Sequence, residues 1–160
     1  MALFPDEKLS FTHHDNAPNR MSDEDINLKF IKGELRIITV QARYPLNKIV
    51  HRIGSRYYEL HTEFRRRHRR WDDCKKSQLI ESLIINIPIP PIYLYQDHRL
   101  HFELIDGFQR LFAIYEFFKN NFVLQGLEQW PELEGYKYAN LPSQIRTALD
   151  KTYLTAISLL

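Results

Sequence analysis

A carboxylate, an amide and a guanidinium lie close together in this sequence, at a point where a strand is predicted to pass directly into a helix. The stretch LIDGFQRL at residues 104–111 predicts an apolar strand ending at Asp106, a turn at Gly107, and a helix whose first turn holds Gln109 and Arg110. The first N–H groups of a helix lack intrahelical partners and attract anions, and an arginine can donate two hydrogen bonds to a phosphate. These residues predict an anion-binding turn. The plainer alternative is that Asp106 caps the helix and Arg110 forms a surface ion pair.

Two side chains of this turn are suited to a reaction as well as to binding. Asp106 would repel a bare phosphate, so its predicted uses are to hold Mg²⁺ against phosphates, to orient Arg110, or to accept a proton from water. Gln109 is neutral and both donates and accepts hydrogen bonds, which suits it to positioning water. The candidate catalytic residues are therefore Asp106, Gln109 and Arg110.

Positive charge is concentrated in residues 61–76, where seven Lys and Arg side chains oppose three Asp and Glu side chains, a balance of +4. Closely spaced guanidinium groups neutralise phosphates and aromatic rings stack on bases, so the segment predicts contact with nucleic acid. A solvated loop is the alternative. The candidate nucleic-acid-binding residues are Phe64, Arg65, Arg67, Arg69 and Arg70. Lys75 and Lys76, at a predicted helix start, are expected to be exposed.

Length and composition predict one folded domain behind an acidic leader. The chain has 160 residues, of which 44% are hydrophobic and 26% charged, and it has only 5 Gly and 8 Pro, which is typical of a globular protein. We assign residues 1–30 to a flexible acidic leader without a hydrophobic period, and residues 31–160 to the folded domain. The net charge of +2 indicates no partner, so any electrostatic signal is local.

The sequence favours a cytoplasmic protein without a membrane partner. Cys74 is the only cysteine, so an internal disulfide is excluded. No apolar run approaches the roughly 20 residues that cross a bilayer, and the start lacks the order of a signal peptide. His13, His14 and Asp15 have no further ligands nearby, so a structural metal site is not expected.

Helices and strands alternate along the chain, which predicts an α+β or α/β class. The helices are expected at residues 46–53, 73–86, 108–119 and 142–151. The strands are expected at residues 35–41, 57–60, 92–95, 100–105, 122–124 and 153–160. Gly54 is a predicted helix C-cap, and residues 92–105 are predicted to form a hairpin.

Four segments occur in an order that is typical of one family. They are ITVQ at 38–41, FRR at 64–66 ahead of Trp71, the block from SQLIESL to IPIPPIYL at 77–94, and IDGFQRL at 105–111. In these segments the chain resembles the N-terminal domain of the GmrSD restriction endonucleases, itself similar to the ParB and sulfiredoxin fold. The resemblance extends from about residue 38 to the end. Because the chain stops in a predicted strand, we expect a fragment, or an N-terminal module of a longer protein or system.

The resemblance implies an α+β, ParB/sulfiredoxin-like domain, with a small mixed sheet flanked by helices. It implies that a nucleoside triphosphate with Mg²⁺, or a nucleic-acid phosphate, binds at the turn through Arg66, Gly107, Phe108 and Arg110, with Asp106 as metal ligand. The implied role is a nucleotide-binding sensor, hydrolysing or not, in restriction and anti-phage defence. Modified or unmodified DNA is an implied partner. So is a nuclease module on the same or a separate chain, since no nuclease motif occurs in this sequence.

Two departures from the family pattern bear on this role. The usual turn is Asp-Gly-Gln-Gln-Arg, and Phe108 replaces its first glutamine, so that a phenyl ring stacks on a base or simply packs. Arg65 stands at a position that is usually glutamine, which adds charge for a phosphate and removes an amide. A non-catalytic DNA-phosphate-binding module therefore remains an alternative, as does a degenerate domain kept for protein assembly. Sulfinic-acid repair is not expected, because sulfiredoxins have their reactive Cys where this chain has Phe108, and Cys74 lies elsewhere.

Overall fold

The computed structural model describes residues 21–33, 37–53, 58–59, 70–97, 99 and 101–160. The chain divides into two compact units, Met1–Arg36 and Ile37–Leu160. Among the described residues, no helix is both long enough and apolar enough to cross a bilayer.

The described part of the first unit is a helix, α1 (Asp23–Lys32), that the sequence analysis did not predict. The Ser22 hydroxyl accepts a hydrogen bond from the Asp25 backbone N–H over 3.2 Å, and Gly33 ends the helix in a left-handed conformation. Acidic side chains occupy the first turn and lysines the last, which complements the helix dipole. These local signals form α1 although none of its residues is buried.

The second unit is built on a five-stranded mixed sheet. Its strands are β1 (Thr39–Pro45), β2 (Tyr58–Glu59), β3 (Ile92–Gln96), β4 (Phe102–Asp106) and β5 (Tyr153–Leu159). Their spatial order is β1-β5-β3-β4-β2. The pairs β1/β5 and β3/β4 are antiparallel, whereas β5/β3 and β4/β2 are parallel. The last strand of the chain therefore lies inside the sheet.

Four helices of the second unit form the core with the sheet. They are α2 (Leu46–Ile53), α3 (Asp73–Ile84), α4 (Phe108–Phe118) and α5 (Ser143–Lys151). Both α2 and α3 contact α4 and α5. The largest fully buried side chains are Leu46, Ile49, Ile80, Leu83, Ile92, Leu94, Leu111, Ile114, Phe117, Leu124, Leu149 and Leu154.

The sheet has one covered face and one uncovered face. Along β3, Ile92 and Leu94 are fully buried, whereas Tyr93 and Tyr95 are exposed. Successive side chains of a strand point to opposite faces, so this alternation shows that the helices cover one face only. The uncovered face presents aromatic side chains to solvent.

The predicted α+β class, with a mixed sheet flanked by helices, is confirmed. The four helices and the hairpin of β3 with β4 form where the sequence predicted them, within a few residues. The first strand begins at Thr39 instead of residue 35, and Gly54 lies outside the described residues. The strand predicted at 122–124 is wrong, because the Leu124 backbone exchanges hydrogen bonds with Gly135 and Tyr136 outside the sheet.

The expectation that Lys76 is exposed is also wrong, since this side chain is buried in α3. Its ammonium group donates to Glu116 Oε2 over 2.9 Å and to Asp73 Oδ1 over 3.0 Å, and lies 5.1 Å from the ring centroid of Phe122. Burial alone would lower the pKa of Lys76. The hydrogen bonds to Glu116 and Asp73 outweigh this effect and raise the pKa above its ordinary value. Lys75 is exposed, as expected.

Glu81, in the middle of α3, is a buried carboxylate that fixes the loop after α4. Its two oxygens accept backbone N–H hydrogen bonds from Glu128, Gln129 and Trp130, at 3.1, 2.8 and 2.6 Å. Several N–H donors converging on one carboxylate satisfy its charge away from water. The Leu-Ile-Glu-Ser stretch thus has a structural task.

Candidate functional site

A bulge at the end of β4 positions the carboxylate of the candidate turn. Leu94 pairs with Leu104 while the preceding residue, Tyr93, pairs with Asp106, so one residue of β4 is left over. As a result Ile105 and Asp106 are both exposed. Bulges of this kind re-aim side chains at the end of a strand pair.

Gly107 immediately precedes α4 and has a backbone conformation that residues with a side chain rarely adopt. Its φ is +98°, and a Cβ at this position would lie 2.6 Å from Ile92 Cγ2 and 3.2 Å from Arg110 Nη2. Only glycine fits between the strand and the arginine without a shift of its neighbours. No side chain caps the start of the helix, so Asp106 does not have the capping role considered as the plainer alternative.

Arg110 forms the ion pair with exposed Asp106 that the plainer alternative predicted, but its own side chain is partly buried and is also held by the backbone. Its Nη2 atom donates to the Pro91 carbonyl oxygen over 3.0 Å and to Asp106 Oδ2 over 3.2 Å, and the side chain is 18% exposed. The Nε atom is buried and has no hydrogen-bond partner among the described residues. The guanidinium is therefore fixed beside the uncapped helix end with donor capacity left over.

Gln109 connects the helix to the segment that precedes α3. Its Oε1 atom accepts a hydrogen bond from the Trp71 backbone N–H over 3.2 Å. Two cations lie close to this junction: Lys75 Nζ is 4.9 Å from the Trp71 ring centroid, and Arg70 Cζ is 5.2 Å from the Phe112 ring centroid. The described end of the basic segment thus contacts the helix of the turn.

Phe108 occupies the first position of α4 and is 7% exposed. Its ring stacks on Phe112, with the two centroids 5.6 Å apart and the planes inclined by 12°. Phe112, Tyr115 and Phe118, which recur at helical spacing, are partly buried against the core. The aromatic ring of Phe108 is used in packing.

These residues enclose a shallow cavity of about 170 Å³. It is lined by Trp71, Ile105, Asp106, Gly107, Phe108, Gln109 and Arg110. The arrangement offers an uncapped helix start, a fixed guanidinium and one carboxylate that is 67% exposed. Such a site can hold an anionic group, and the carboxylate can share a cation with it.

The residues of the turn suit Mg²⁺ only together with a ligand. Among the described residues, no group of three or more His, Cys, Asp or Glu side chains could hold a metal ion. Mg²⁺ in nucleotide sites usually keeps several waters and binds one or two carboxylates plus phosphate oxygens. Asp106 would supply the one carboxylate that such a site needs. Its Oδ2 atom contacts Arg110, and the side chain is 67% exposed.

Part of the predicted site lies outside the described residues. The structure brings Asp106 and Arg110 into contact, and Arg70 is the member of the basic cluster that it describes. The predicted residues outside the described ranges are Phe64, Arg65, Arg66, Arg67 and Arg69. Sequence reasoning missed Pro91 and Ile92 as parts of the site. The prolines at 88, 90 and 91 precede β3, and nothing in this run indicates that the Pro91 carbonyl accepts a hydrogen bond from Arg110.

The fold and the turn define a small α+β domain that holds an arginine at the uncapped start of a helix. Residues 46–160 match the family described as GmrSD restriction endonuclease, N-terminal domain. The match covers more than half of the chain, so the chain belongs to this family. Membership indicates a role in a restriction and defence system, in association with DNA and a nuclease module. Neither the comparison with curated proteins nor that with solved structures finds a match.

Proposed function

We propose that this domain is the nucleotide-binding sensor of a restriction system, and that residues 106–110 bind the phosphates of a nucleoside triphosphate. The observation that carries the proposal is the position of Arg110, which is anchored to the Pro91 carbonyl beside a helix start without a side-chain cap. A guanidinium beside helix N–H groups that no side chain caps is an arrangement that favours phosphate binding.

In this proposal Asp106 would hold Mg²⁺, and the metal would supply positive charge that neutralises phosphate oxygens. The Asp106 carboxylate is 67% exposed, so a hydrated metal ion could reach it. Arg110 contacts the same carboxylate and balances its negative charge. Gly107 lets Arg110 and Ile92 pack against the turn, because a Cβ there would lie 3.2 Å from Arg110 Nη2 and 2.6 Å from Ile92 Cγ2.

The same contacts favour binding over rapid hydrolysis. The Oε1 atom of Gln109 accepts the Trp71 N–H, so part of the hydrogen-bonding capacity that could position water is already used. Phe108 is packed against Phe112 and adds no polar group to the cavity. Any hydrolysis would then be slow, and occupancy of the site would be the signal passed to the nuclease module.

A titration of each of the four ribonucleoside triphosphates with Mg²⁺ tests the proposal. We expect Arg110→Ala to weaken binding about tenfold or more, since a hydrogen bond to a charged group contributes about 1.5–3 kcal/mol. The matched control is Arg146→Ala: Arg146 also donates to a backbone carbonyl, that of Ala139 at 3.2 Å, but does not line the cavity. Thermal melting of each variant checks that it folds.

Asp106→Asn provides a second, independent measurement. It keeps the size of the side chain and removes the charge, so the Mg²⁺ dependence of binding should fall while some binding remains. Equal affinity of wild type and the folded Arg110→Ala variant, or no triphosphate binding at all, would refute the proposal. Phosphate release with and without DNA then measures hydrolysis directly.

A further inference from the structure

A second and larger cavity, of about 430 Å³, lies away from the turn. Its floor is formed by the uncovered face of β1 and β5, and its wall by the connection between α3 and β3. We call it the Arg43 cavity. It is lined by Gln41, Arg43, Leu83, Asn86, Ile87, Pro88, Ile89, Thr152, Tyr153 and Thr155. Its volume is in the range of about 300–1,000 Å³ that is usual for small-ligand sites.

Charge in this cavity comes from Arg43 alone. None of its lining residues is acidic, and Arg43 makes no hydrogen bond or ion pair with the residues that the structure describes. The Arg43 Cζ atom lies 5.0 Å from the centroid of the Tyr153 ring, within cation–π distance, and Arg43 is exposed. The cavity therefore selects an anionic group.

The other lining residues offer flat apolar surfaces and hydrogen-bonding groups side by side. The amides of Gln41 and Asn86 make no hydrogen bonds with described side chains or backbone, so their donors and acceptors are available. Ile87, which is 48% exposed, supplies apolar surface, and Tyr153 is 52% exposed. A planar ring with a polar edge suits these surfaces.

We infer that the Arg43 cavity binds one unpaired nucleotide of a DNA strand, with a phosphate at Arg43 and the base against the Tyr153 ring and the apolar wall. The bases of a single strand are free to enter a cavity of this kind, whereas the bases of a duplex are paired and stacked inside it. The inference uses the association of this family with DNA, and it does not depend on triphosphate binding at the turn.

The surface next to the cavity favours a strand over a free nucleotide. Gln41 pairs across the sheet with Ile157, and Ile157 pairs with Tyr93, which is exposed on the same face. Neighbouring strands are about 4.8 Å apart, so Tyr93 lies roughly 10 Å from Gln41. That span brings a second exposed aromatic ring within reach of the next base of a strand.

Fluorescence anisotropy with a labelled thymidine oligonucleotide of about ten residues, a usual site size, tests the inference. The full chain is titrated without Mg²⁺ or triphosphate at several salt concentrations. We expect Arg43→Gln to weaken binding about fivefold or more and to reduce the slope of log K against log salt by about 0.7, the value for one phosphate contact of a single strand. We expect Tyr153→Leu to weaken binding by a similar factor.

Arg52→Gln is the matched control for the loss of an arginine stacked on tyrosine. Arg52 Cζ lies 4.9 Å from the Tyr44 ring centroid, yet Arg52 does not line the cavity, so its loss should leave affinity unchanged. A loss with Arg52→Gln equal to that with Arg43→Gln, or no loss with either Arg43→Gln or Tyr153→Leu in folded variants, would overturn the inference.

Two further arms identify the ligand and separate the two sites. Thymidine monophosphate should bind much more weakly than the oligonucleotide. Equal affinity would assign the cavity to free nucleotides and overturn the inference that it binds a DNA strand. The Arg110→Ala variant should bind the oligonucleotide as wild type does. Absence of triphosphate binding alone would refute the proposed site at residues 106–110. Absence of oligonucleotide binding alone would refute the inference about the Arg43 cavity.

Discussion

The guanidinium of Arg110 donates a hydrogen bond to the carbonyl oxygen of Pro91, at 3.0 Å. This contact joins the first turn of α4 to the residue just before β3. The side chain that carries the proposed phosphate site is thus positioned by the backbone of a neighbouring strand. Changes at the strand start and changes at the turn should consequently affect each other.

Gly107→Ala should destabilise the domain more than Gly135→Ala. Both glycines have positive φ, +98° and +80°, so each substitution introduces backbone strain of about 1–3 kcal/mol. Only at Gly107 would the added Cβ collide with Ile92, whereas nothing lies within 4 Å of a Cβ at Gly135. Denaturant unfolding of the two variants measures the difference, and equal losses of stability would contradict the close packing of the turn.

Asp106→Asn should change stability little. The ion pair with Arg110 is 3.2 Å long, but the carboxylate is 67% exposed, and exposed pairs contribute about 0–1 kcal/mol. We therefore expect a change in the free energy of unfolding below about 1 kcal/mol, measured by urea titration. A much larger loss would mean that Asp106 has a structural role in the turn.

Glu81→Gln should be strongly destabilising, because Glu81 is 5% exposed and accepts three backbone N–H groups. An amide in its place presents a donor to other donors, and each buried group left unsatisfied costs about 1–3 kcal/mol. The control is Glu132→Gln, an exposed glutamate in the following segment. The melting temperature should fall strongly for Glu81→Gln and hardly at all for Glu132→Gln.

Tyr138 makes stability depend on pH in the alkaline range. Burial, followed by its hydrogen bond to Asp150 at 2.7 Å, raises the pKa of Tyr138 from 10.0 to about 12. The folded state keeps this proton after the unfolded chain has lost it, so the stabilisation is complete below pH 10 and is lost between pH 10 and about 12.

Unfolding free energies of wild type and Tyr138→Phe, measured across this pH range, test the effect. The variant should be less stable by about 1 kcal/mol at neutral pH, and the gap should close as pH rises toward 12. A gap that stays constant with pH would show that the phenol proton does not contribute.

Local signals account for the elements that the sequence predicted well. In α2 the buried residues Leu46, Ile49, Val50 and Ile53 follow the helical period, and in α3 the Asp72 carboxylate accepts the Lys75 N–H at 2.8 Å as an N-cap. Such features depend on residues a few positions apart. They are visible in the sequence for that reason.

Features that depend on distant partners were not predictable. Lys76 can be buried because its ammonium group donates a hydrogen bond to Glu116, forty positions later. No local pattern in the sequence indicates that pairing. The contact between Arg110 and Pro91 likewise depends on the pairing of β3 with β4. The cavity beside Arg43 depends on the pairing of β5 with β1 and β3. The turn at 106–110 was predicted as a site from residue types together with the family resemblance, whereas the anchoring of Arg110 and the packing of Phe108 required the fold.

The position of β5 has a consequence for synthesis of the protein. Because β5 lies between β1 and β3, the sheet cannot close until residues 153–159 have left the ribosome. Until then β1 and β3 expose hydrogen-bonding edges to other nascent chains. We therefore expect final folding of this domain to be a late event, and truncations that remove β5 to yield aggregates.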